Sequence, residues 1–196
     1  MYAMYIKRII DLIISICAFP FFIILFVIIA PFIFLEDHGS VFYRAKRRGL
    51  NGCVYEMYKF RSMKMDAPDI RNDDNSTYNS PDDPRITKIG RVLRKTSIDE
   101  IPQIINVLKG DMSIIGPRPT TIDKPLELYD EKRLVRLKVK PGITGYTQAY
   151  YRNSITQEEK FEFDAQYALE VSFILDTKIF FRTIYTVLAG KNIYNS

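Results

Sequence analysis

Residues 12–35 read LIISICAFPFFIILFVIIAPFIFL, a run of 24 without one charged side chain. As a straight helix at about 1.5 Å per residue it would reach about 36 Å, enough to cross a hydrocarbon layer of about 30 Å. The run is longer than the apolar part of a signal peptide, and no small-x-small cleavage pattern follows it. A helix buried in a soluble core would not need Ile, Phe and Leu on every face. Two features set the run apart from a plain span. Pro20 falls in its middle and Pro31 near its end. Proline removes a backbone donor and crowds the preceding turn, so a kink at Pro20 is predicted, and each half is too short to cross alone. Cations also flank both ends: Lys7 and Arg8 before, then Arg44, Lys46, Arg47 and Arg48 after. The positive-inside rule keeps both flanks in the cytoplasm. The expectation is a re-entrant membrane helix broken at Pro20 over residues 1–38, with residues 39–196 forming a domain on the cytoplasmic face. An ordinary kinked span, with the rest of the chain outside, is the alternative.

Working outward, the 196 residues are 47% apolar and 26% charged, the composition of a folded chain, with a net charge of +5. Mean hydropathy is near zero, at −0.09, because the apolar residues are so unevenly placed. Cys17 and Cys53 show no CxxC spacing, and His38 is the only histidine. A structural zinc site is thereby excluded, and Ser-His-Asp or Cys-His catalysis would rest on a single turn-like Glu36-Asp37-His38-Gly39. There is no G-x-x-x-x-G-K-[ST] and no G-x-G-x-x-G, so NTP hydrolysis and dinucleotide redox find no support.

The remainder reads as an α+β fold, mostly helical. Val41-Phe42-Tyr43 and Val54-Tyr55-Glu56-Met57-Tyr58 have strand composition, with Gly49 and Asn51-Gly52 supplying turn chemistry for a small hairpin. Residues 66–84 hold six aspartates and three prolines, which marks a surface loop. Ile86, Ile89, Val92 and Leu93 recur at helical spacing opposite Arg85, Lys88, Arg91, Arg94 and Lys95. A second helix is predicted to start at Thr96–Gln103, with Pro102 in its first turn, and to run to Gly110. Gly116-Pro117-Arg118-Pro119 is an ordered loop, residues 126–138 a basic amphipathic helix, and 140–145 a turn. Residues 157–189 are largely helical with one apolar face, and Gly190-Lys191 is a stop signal. The amphipathic helices are expected to lie at the membrane interface around the catalytic core.

Asp99-Glu100 admits two readings. Adjacent acids near Arg91, Arg94 and Lys95 could hold a divalent cation and supply a nucleophilic carboxylate. Equally, Ser97-x-x-Glu100 fits a capping box, with acids favouring a helix N-terminus. Arg118 between two prolines offers a planar fork in a rigid loop that matches phosphate oxygens, or is a plain surface arginine. Lys59 and Arg61 alternate with Phe60 as on a strand with one polar face, either solvated or substrate-facing. Arg152 follows Tyr150-Tyr151, which could stack on a base or sugar or form an interfacial aromatic cluster. Together these cations suit a phosphate-rich substrate, and the apolar run a lipid one.

Ordered blocks now point to one family. They are Lys7-Arg8-Ile9-Ile10-Asp11, Tyr58-Lys59-Phe60-Arg61-Ser62-Met63, Leu93 through Gln103, Asn106 through Ser113, Gly116-Pro117-Arg118-Pro119 and Lys140-Pro141-Gly142-Ile143-Thr144-Gly145. In these blocks, over nearly its whole length, the chain resembles the bacterial sugar transferases, the monotopic polyprenyl-phosphate phosphoglycosyl transferases, as a minimal catalytic unit. The resemblance implies transfer of a phospho-sugar from a nucleotide sugar, by family habit a UDP-sugar, to polyprenyl (undecaprenyl) phosphate with release of the nucleoside monophosphate. This is the first membrane step of capsule, O-antigen, exopolysaccharide or glycoprotein glycan synthesis, at the bacterial inner membrane. It implies Asp99 as the nucleophile of a covalent phosphosugar intermediate, Glu100 as its partner, and Mg2+ held by the two. It assigns phosphate contacts to Arg94, Arg118 and Arg152, beside the Lys59 and Arg61 already noted. A homodimer or downstream glycosyltransferases are the protein partners it suggests. Many members carry Ser-Pro at the helix break where this chain has Phe19-Pro20.

Two other classes compete. A non-enzymatic membrane adaptor would have no need for Asp-Glu and Gly-Pro-Arg-Pro blocks together. An anchored nucleic-acid binder would carry a larger basic excess than +5.

Overall fold

In the computed structural model, which describes residues 1–68, 70, 78, 80, 83–152 and 154–189, the apolar run belongs to one long helix, α1 (Lys7–Asp37), led in by a π-helical turn at Tyr2–Ile6. Pro20 and Pro31 both lie within it, and the helix is uninterrupted at either. Buried residues on α1 are Lys7, Asp11, Ser15, Phe22, Ile29 and Ile33, a spacing of fours and sevens that draws one stripe. Ile9, Ile13, Ile16, Phe21, Ile24, Val27, Ile28, Phe32 and Leu35 stay exposed. Only 17% of its most apolar stretch is buried, so α1 is not the core helix of a soluble protein. It lays one stripe on the rest of the chain and leaves the other faces apolar.

The predicted hairpin forms as β1 (Phe42–Arg48) and β2 (Val54–Phe60), antiparallel, with Phe42 opposite Phe60 and Arg48 opposite Val54. Asn51 and Gly52 take the left-handed backbone that the turn requires. Phe26 of α1 stacks on Phe42 at 5.4 Å, and Phe42 on Phe60 at 5.7 Å. Phe22, Ile29, Ile33, Phe60, Leu93 and Ile104 then make one buried cluster that joins α1 to the hairpin and to two helices that follow.

Those helices are α2 (Lys88–Thr96), capped by the Thr87 hydroxyl, and α3 (Gln103–Lys109), which ends on left-handed Gly110. The helix predicted to start within Thr96–Gln103 begins at Gln103, with Pro102 at its N-cap rather than in its first turn, and a separate 3-10 turn (Ile98–Glu100) precedes it. Fully buried Asn106 ties α3 to β2: its carboxamide oxygen accepts from Tyr58 N–H and its nitrogen donates to Glu56 O. Two short parallel strands, β3 (Ser113–Ile115) and β4 (Gly142–Thr144), were hidden in what reads as loop and turn. Three residues each are too few to show alternation. The amphipathic segment 126–138 breaks into a 3-10 turn, α4 (Glu131–Val135, capped by Asp130) and a second 3-10 turn. There follow α5 (Tyr146–Tyr150), α6 (Gln157–Glu170), opened by a Thr156/Glu159 capping box, and α7 (Phe173–Leu188). Ile115, Ala149, Tyr167 and Ile179 form the core between β3 and these three helices. Gly190-Lys191 and much of the aspartate-rich loop lie outside the described residues.

Both ends of α1 are fastened to this one body. At the start, Lys7 Nζ pairs with Asp176 at 2.5 Å, Arg8 donates to Val107 O and Leu108 O, and Asp11 accepts from Ile114 N–H at 3.0 Å. At the end, Asp37 pairs with Arg61, and the Glu36 carboxylate accepts from Lys88 N–H at 2.6 Å and Ile89 N–H at 3.3 Å, the first free amides of α2.

Gly90 permits α2 to lie against the end of the hairpin, since a Cβ there would collide with Ser62 O. Glycine to alanine inside a helix ordinarily stabilises by about 1 kcal/mol. Here the sign reverses: Gly90→Ala is expected to destabilise by about 2–4 kcal/mol. Thermal unfolding in detergent should show the loss as a midpoint lowered by roughly 4–16 °C.

Candidate active site

Asp99 and Glu100 sit where two helices are interrupted. Ser97 ends α2 in the left-handed conformation (φ 58°), and the chain passes through the Ile98–Glu100 turn before α3. Ser97 makes no side-chain cap, and Glu100 is bonded elsewhere, so the capping box is not formed. Ile98 and Ile101 pack into the α1 cluster on either side of the pair. The acids are thus fixed between two apolar anchors, in a short turn with no slack.

The two carboxylates have different surroundings. Glu100 accepts from Lys59 Nζ at 2.5 Å. Burial alone would raise the Glu100 carboxyl, but the charges of Lys59 and Arg118, the Lys59 hydrogen bond and the charge of Arg152 outweigh it and hold it below its ordinary value. Asp99 is buried, and no described residue donates a hydrogen bond to its carboxylate. Burial pushes it up to about 6, against the pull of Lys59, Arg94 and Arg118 and with the push of Glu100. One acid is therefore pinned and ionised, while its neighbour is poised and chemically unengaged.

The cations arrive from four separate elements. Lys59 stands on β2, whose pairing with β1 fixes its height. Arg94, in the last turn of α2, donates from Nε to Ser62 Oγ at 3.0 Å. Arg118 stands exposed on the proline-framed loop, close enough to act on both acids. That loop is held by the β3–β4 pairing: a Cβ on Gly142 would strike Gly116 N, so the Gly-Pro-Arg-Pro and Lys-Pro-Gly blocks meet backbone to backbone. Arg152 has a left-handed backbone (φ 51°), donates its N–H to Thr147 O at 2.8 Å, and lies near Glu100.

Arg61 corrects the sequence reading. Strand alternation would put it beside Lys59, but β2 ends at Phe60 and the chain turns there. Arg61 is buried, donates to Ser40 O at 2.5 Å and Ile33 O at 3.1 Å, and pairs with Asp37. It closes the end of α1 and does not face the acids. The tyrosines before Arg152 are likewise occupied, with Tyr146 on Tyr150 at 4.8 Å and Tyr151 stacked on Phe163 at 4.9 Å. Two cations that the sequence did not single out, Arg47 on β1 and Lys160 on α6, lie near enough to Arg118 for its charge to oppose theirs. They are over forty residues from Arg118 along the chain, so no local pattern could have pointed to them.

Among the described residues no three His, Cys, Asp or Glu side chains cluster as a metal cage. Two adjacent carboxylates, one of them without a hydrogen bond among the described residues, do fit the way Mg2+ binds, through one or two protein carboxylates with the remaining positions taken by water and substrate phosphate. The surrounding cations make the site a receptacle for a polyanion.

The bacterial sugar transferase family model matches residues 2–190. The chain is 46% identical over 159 residues to an uncharacterized sugar transferase, EpsL, of Bacillus subtilis, covering 81% of this chain and 75% of that protein. It is 38% identical over 199 residues to the exopolysaccharide production protein ExoY of Rhizobium meliloti, covering 96% and 88%. With the UDP-glucose:undecaprenyl-phosphate glucose-1-phosphate transferase of Escherichia coli it shares 41% identity over 167 residues, 82% of this chain but 35% of that longer protein. With a match over nearly its full length, and the acids, cations and apolar helix held in one body, the chain belongs to the bacterial sugar transferase family.

Proposed function

We propose that the chain is a phosphoglycosyl transferase that moves a phospho-sugar from a nucleoside diphosphate sugar, of the UDP type, onto polyprenyl phosphate through a covalent Asp99 intermediate. The observation that carries this reading is the inequality of the two acids. A nucleophile must be ionisable, desolvated and free of competing hydrogen bonds, as Asp99 is, while Glu100 is tied to Lys59. The names of the relatives support the reaction class, since that of the Escherichia coli protein specifies UDP-glucose, undecaprenyl phosphate and glucose-1-phosphate transfer.

In the first step an Asp99 carboxylate oxygen attacks the sugar-linked phosphorus. The bond from that phosphorus to the bridging oxygen breaks, and its electron pair leaves with the nucleoside monophosphate. Polyprenyl phosphate then attacks the same phosphorus through an oxygen, the acyl-phosphate bond breaks, and the Asp99 carboxylate is restored. Lys59, Arg94, Arg118 and Arg152 offset the diphosphate charge that would otherwise repel a carboxylate. Asp99 and Glu100 would hold Mg2+, which would supply further charge neutralisation on the phosphate oxygens.

The fastening of α1 supports placing both of its ends on one side of the membrane, as a re-entrant arrangement requires, although the helix is uninterrupted at Pro20. Lys7 and Asp37 lie about 45 Å apart if the helix is straight, yet both are held by the same polar body. A span that separated them across a bilayer would carry part of that body through the hydrocarbon. The flanking cations favour the cytoplasmic face of the bacterial inner membrane.

Asp99→Asn is expected to fold, bind membrane and lose turnover. Intact-mass analysis of the wild type after mixing with UDP-glucose, UDP-galactose or UDP-N-acetylgalactosamine should show a phosphosugar adduct with at least one donor, and the variant none with any. Normal turnover by Asp99→Asn would remove the nucleophile assignment. Because burial penalises the charged form, the variant's unfolding midpoint at neutral pH should be no lower than that of the wild type.

The pH dependence has a definite sign. Below about 6 Asp99 is protonated and cannot attack, whereas Glu100 remains ionised. The single-turnover rate of adduct formation should rise through about pH 6 and level off above it. A rate that falls on raising the pH from 5 to 7 would contradict the role.

Topology is testable with impermeant thiol reagents on chains whose Cys17 and Cys53 are replaced by serine. Ala3→Cys and Ser40→Cys should both be protected from outside in intact cells and both react after permeabilisation. External labelling at position 3 alone would establish a true span.

A further inference from the structure

Behind the Arg118 loop lies a buried ion pair that the mechanism above does not use. Arg136, in the 3-10 turn after α4, and Asp164, on α6, are both almost fully enclosed, at 3% and 1% exposure. Arg136 Nη2 donates to Asp164 Oδ2 at 2.5 Å and to the Arg118 carbonyl at 2.7 Å. The Asp164 carboxylate also accepts, through Oδ1, the Thr147 hydroxyl at 3.2 Å, and it lies close enough to the Arg118 backbone N–H for that amide to favour its charged form. The carbonyl of residue 118 is thus held by the base, and its amide lies beside the acid. Pro117 and Pro119 fix φ on either side, and the residue before a proline is itself restricted. What remains free at residue 118 is its side chain, which is the part exposed toward the two catalytic acids.

The pair is poorly built for stability. Arg136 places both its hydrogen bonds on one nitrogen, and its Nε and Nη1 are buried without a hydrogen-bond partner among the described residues. Unpartnered buried donors cost free energy, and a buried ion pair often contributes no more than apolar residues of the same size. The Phe161 ring 4.9 Å from the guanidinium offsets part of that cost but orients nothing. Besides tying Thr147 to α6, the arrangement fixes the backbone of residue 118.

We infer that Arg136 and Asp164 are positioning residues that clamp the backbone of Arg118 and so aim its guanidinium at the donor diphosphate. The inference rests on the proposed role of Arg118 as a phosphate ligand. A preset guanidinium acts on developing charge without first paying to be ordered, so loosening it should slow the chemical step more than it weakens donor binding. Sequence reading passed over both residues because they lie 18 and 46 positions beyond Arg118 and sit in ordinary helical contexts.

A double-mutant cycle tests the clamp, with the single-turnover rate of phosphosugar adduct formation from the UDP-sugar that labels the wild type as readout. Arg136→Lys alone should slow adduct formation by about tenfold or more, with the apparent donor affinity changed by less than about threefold. In an Arg118→Ala background, which keeps the clamped backbone but removes the guanidinium, the same substitution should cost less than about threefold. Asp164→Asn should follow the same pattern. A purely structural role would make the losses multiply in both backgrounds, and that result would overturn the inference. So would failure of both Arg136→Lys and Asp164→Asn to fold by circular dichroism, since the pair would then be a determinant of the fold. A wild type that forms no adduct with any donor would instead count against the proposed covalent mechanism.

Discussion

Everything in this molecule depends on a long apolar helix being held from one side by a polar body. Burial of Phe22, Ile29 and Ile33 against Phe60, Leu93 and Ile104 supplies the non-directional attraction, at roughly 1.5–3 kcal/mol for each fully buried side chain. The directional part comes from charged groups at the helix ends, each satisfied by a partner far away in sequence. The same apolar cluster receives Ile98 and Ile101, so the surface that grips α1 also sets the position of the acids between those two residues.

The site then works by contrast between neighbours. Asp99 and Glu100 share a turn and differ in what reaches them, a lysine hydrogen bond for one and none from any described residue for the other. Lys59 pairs with Glu100, while Arg94, Arg118 and Arg152, on a helix end, a proline-framed loop and a left-handed turn, make no salt bridge to either acid. The result is a concentration of positive charge that the protein itself only partly neutralises, which suits a substrate bringing several negative charges of its own.

How much of this was legible in the sequence follows from the range over which each signal acts. The apolar run and the hairpin turn at Asn51-Gly52 are local patterns that appear as elements, although the run is one uninterrupted helix through Pro20. Of the predicted α2 face, Ile89 and Leu93 turn inward, while Val92 is exposed and Ile86 precedes the helix. The acids, Lys59 and two of the flanking arginines, Arg94 and Arg118, were visible within ordered blocks, though Asp99-Glu100 by itself was equally compatible with a helix cap that does not form. Arg61 was misjudged because strand alternation was carried one residue past the end of β2. The parallel pairing of β3 with β4 could not be read, since each strand has three residues and the pairing is stated only by three-dimensional closeness. Arg47, Lys160, Arg136 and Asp164 escaped for the same reason: their roles are relations between distant segments.

The capping of α2 by Glu36 has a consequence for how this protein can be taken apart. The last carboxylate but one of α1 replaces the water or side chain that the first amides of α2 would otherwise need. Arg61, buried against the same helix end, would be left with an unpaired charge if that end were removed. Residue 38 is therefore not a boundary between two folding units. Cutting the chain there would open the core of the body behind it, so deleting α1 cannot yield a smaller folded unit.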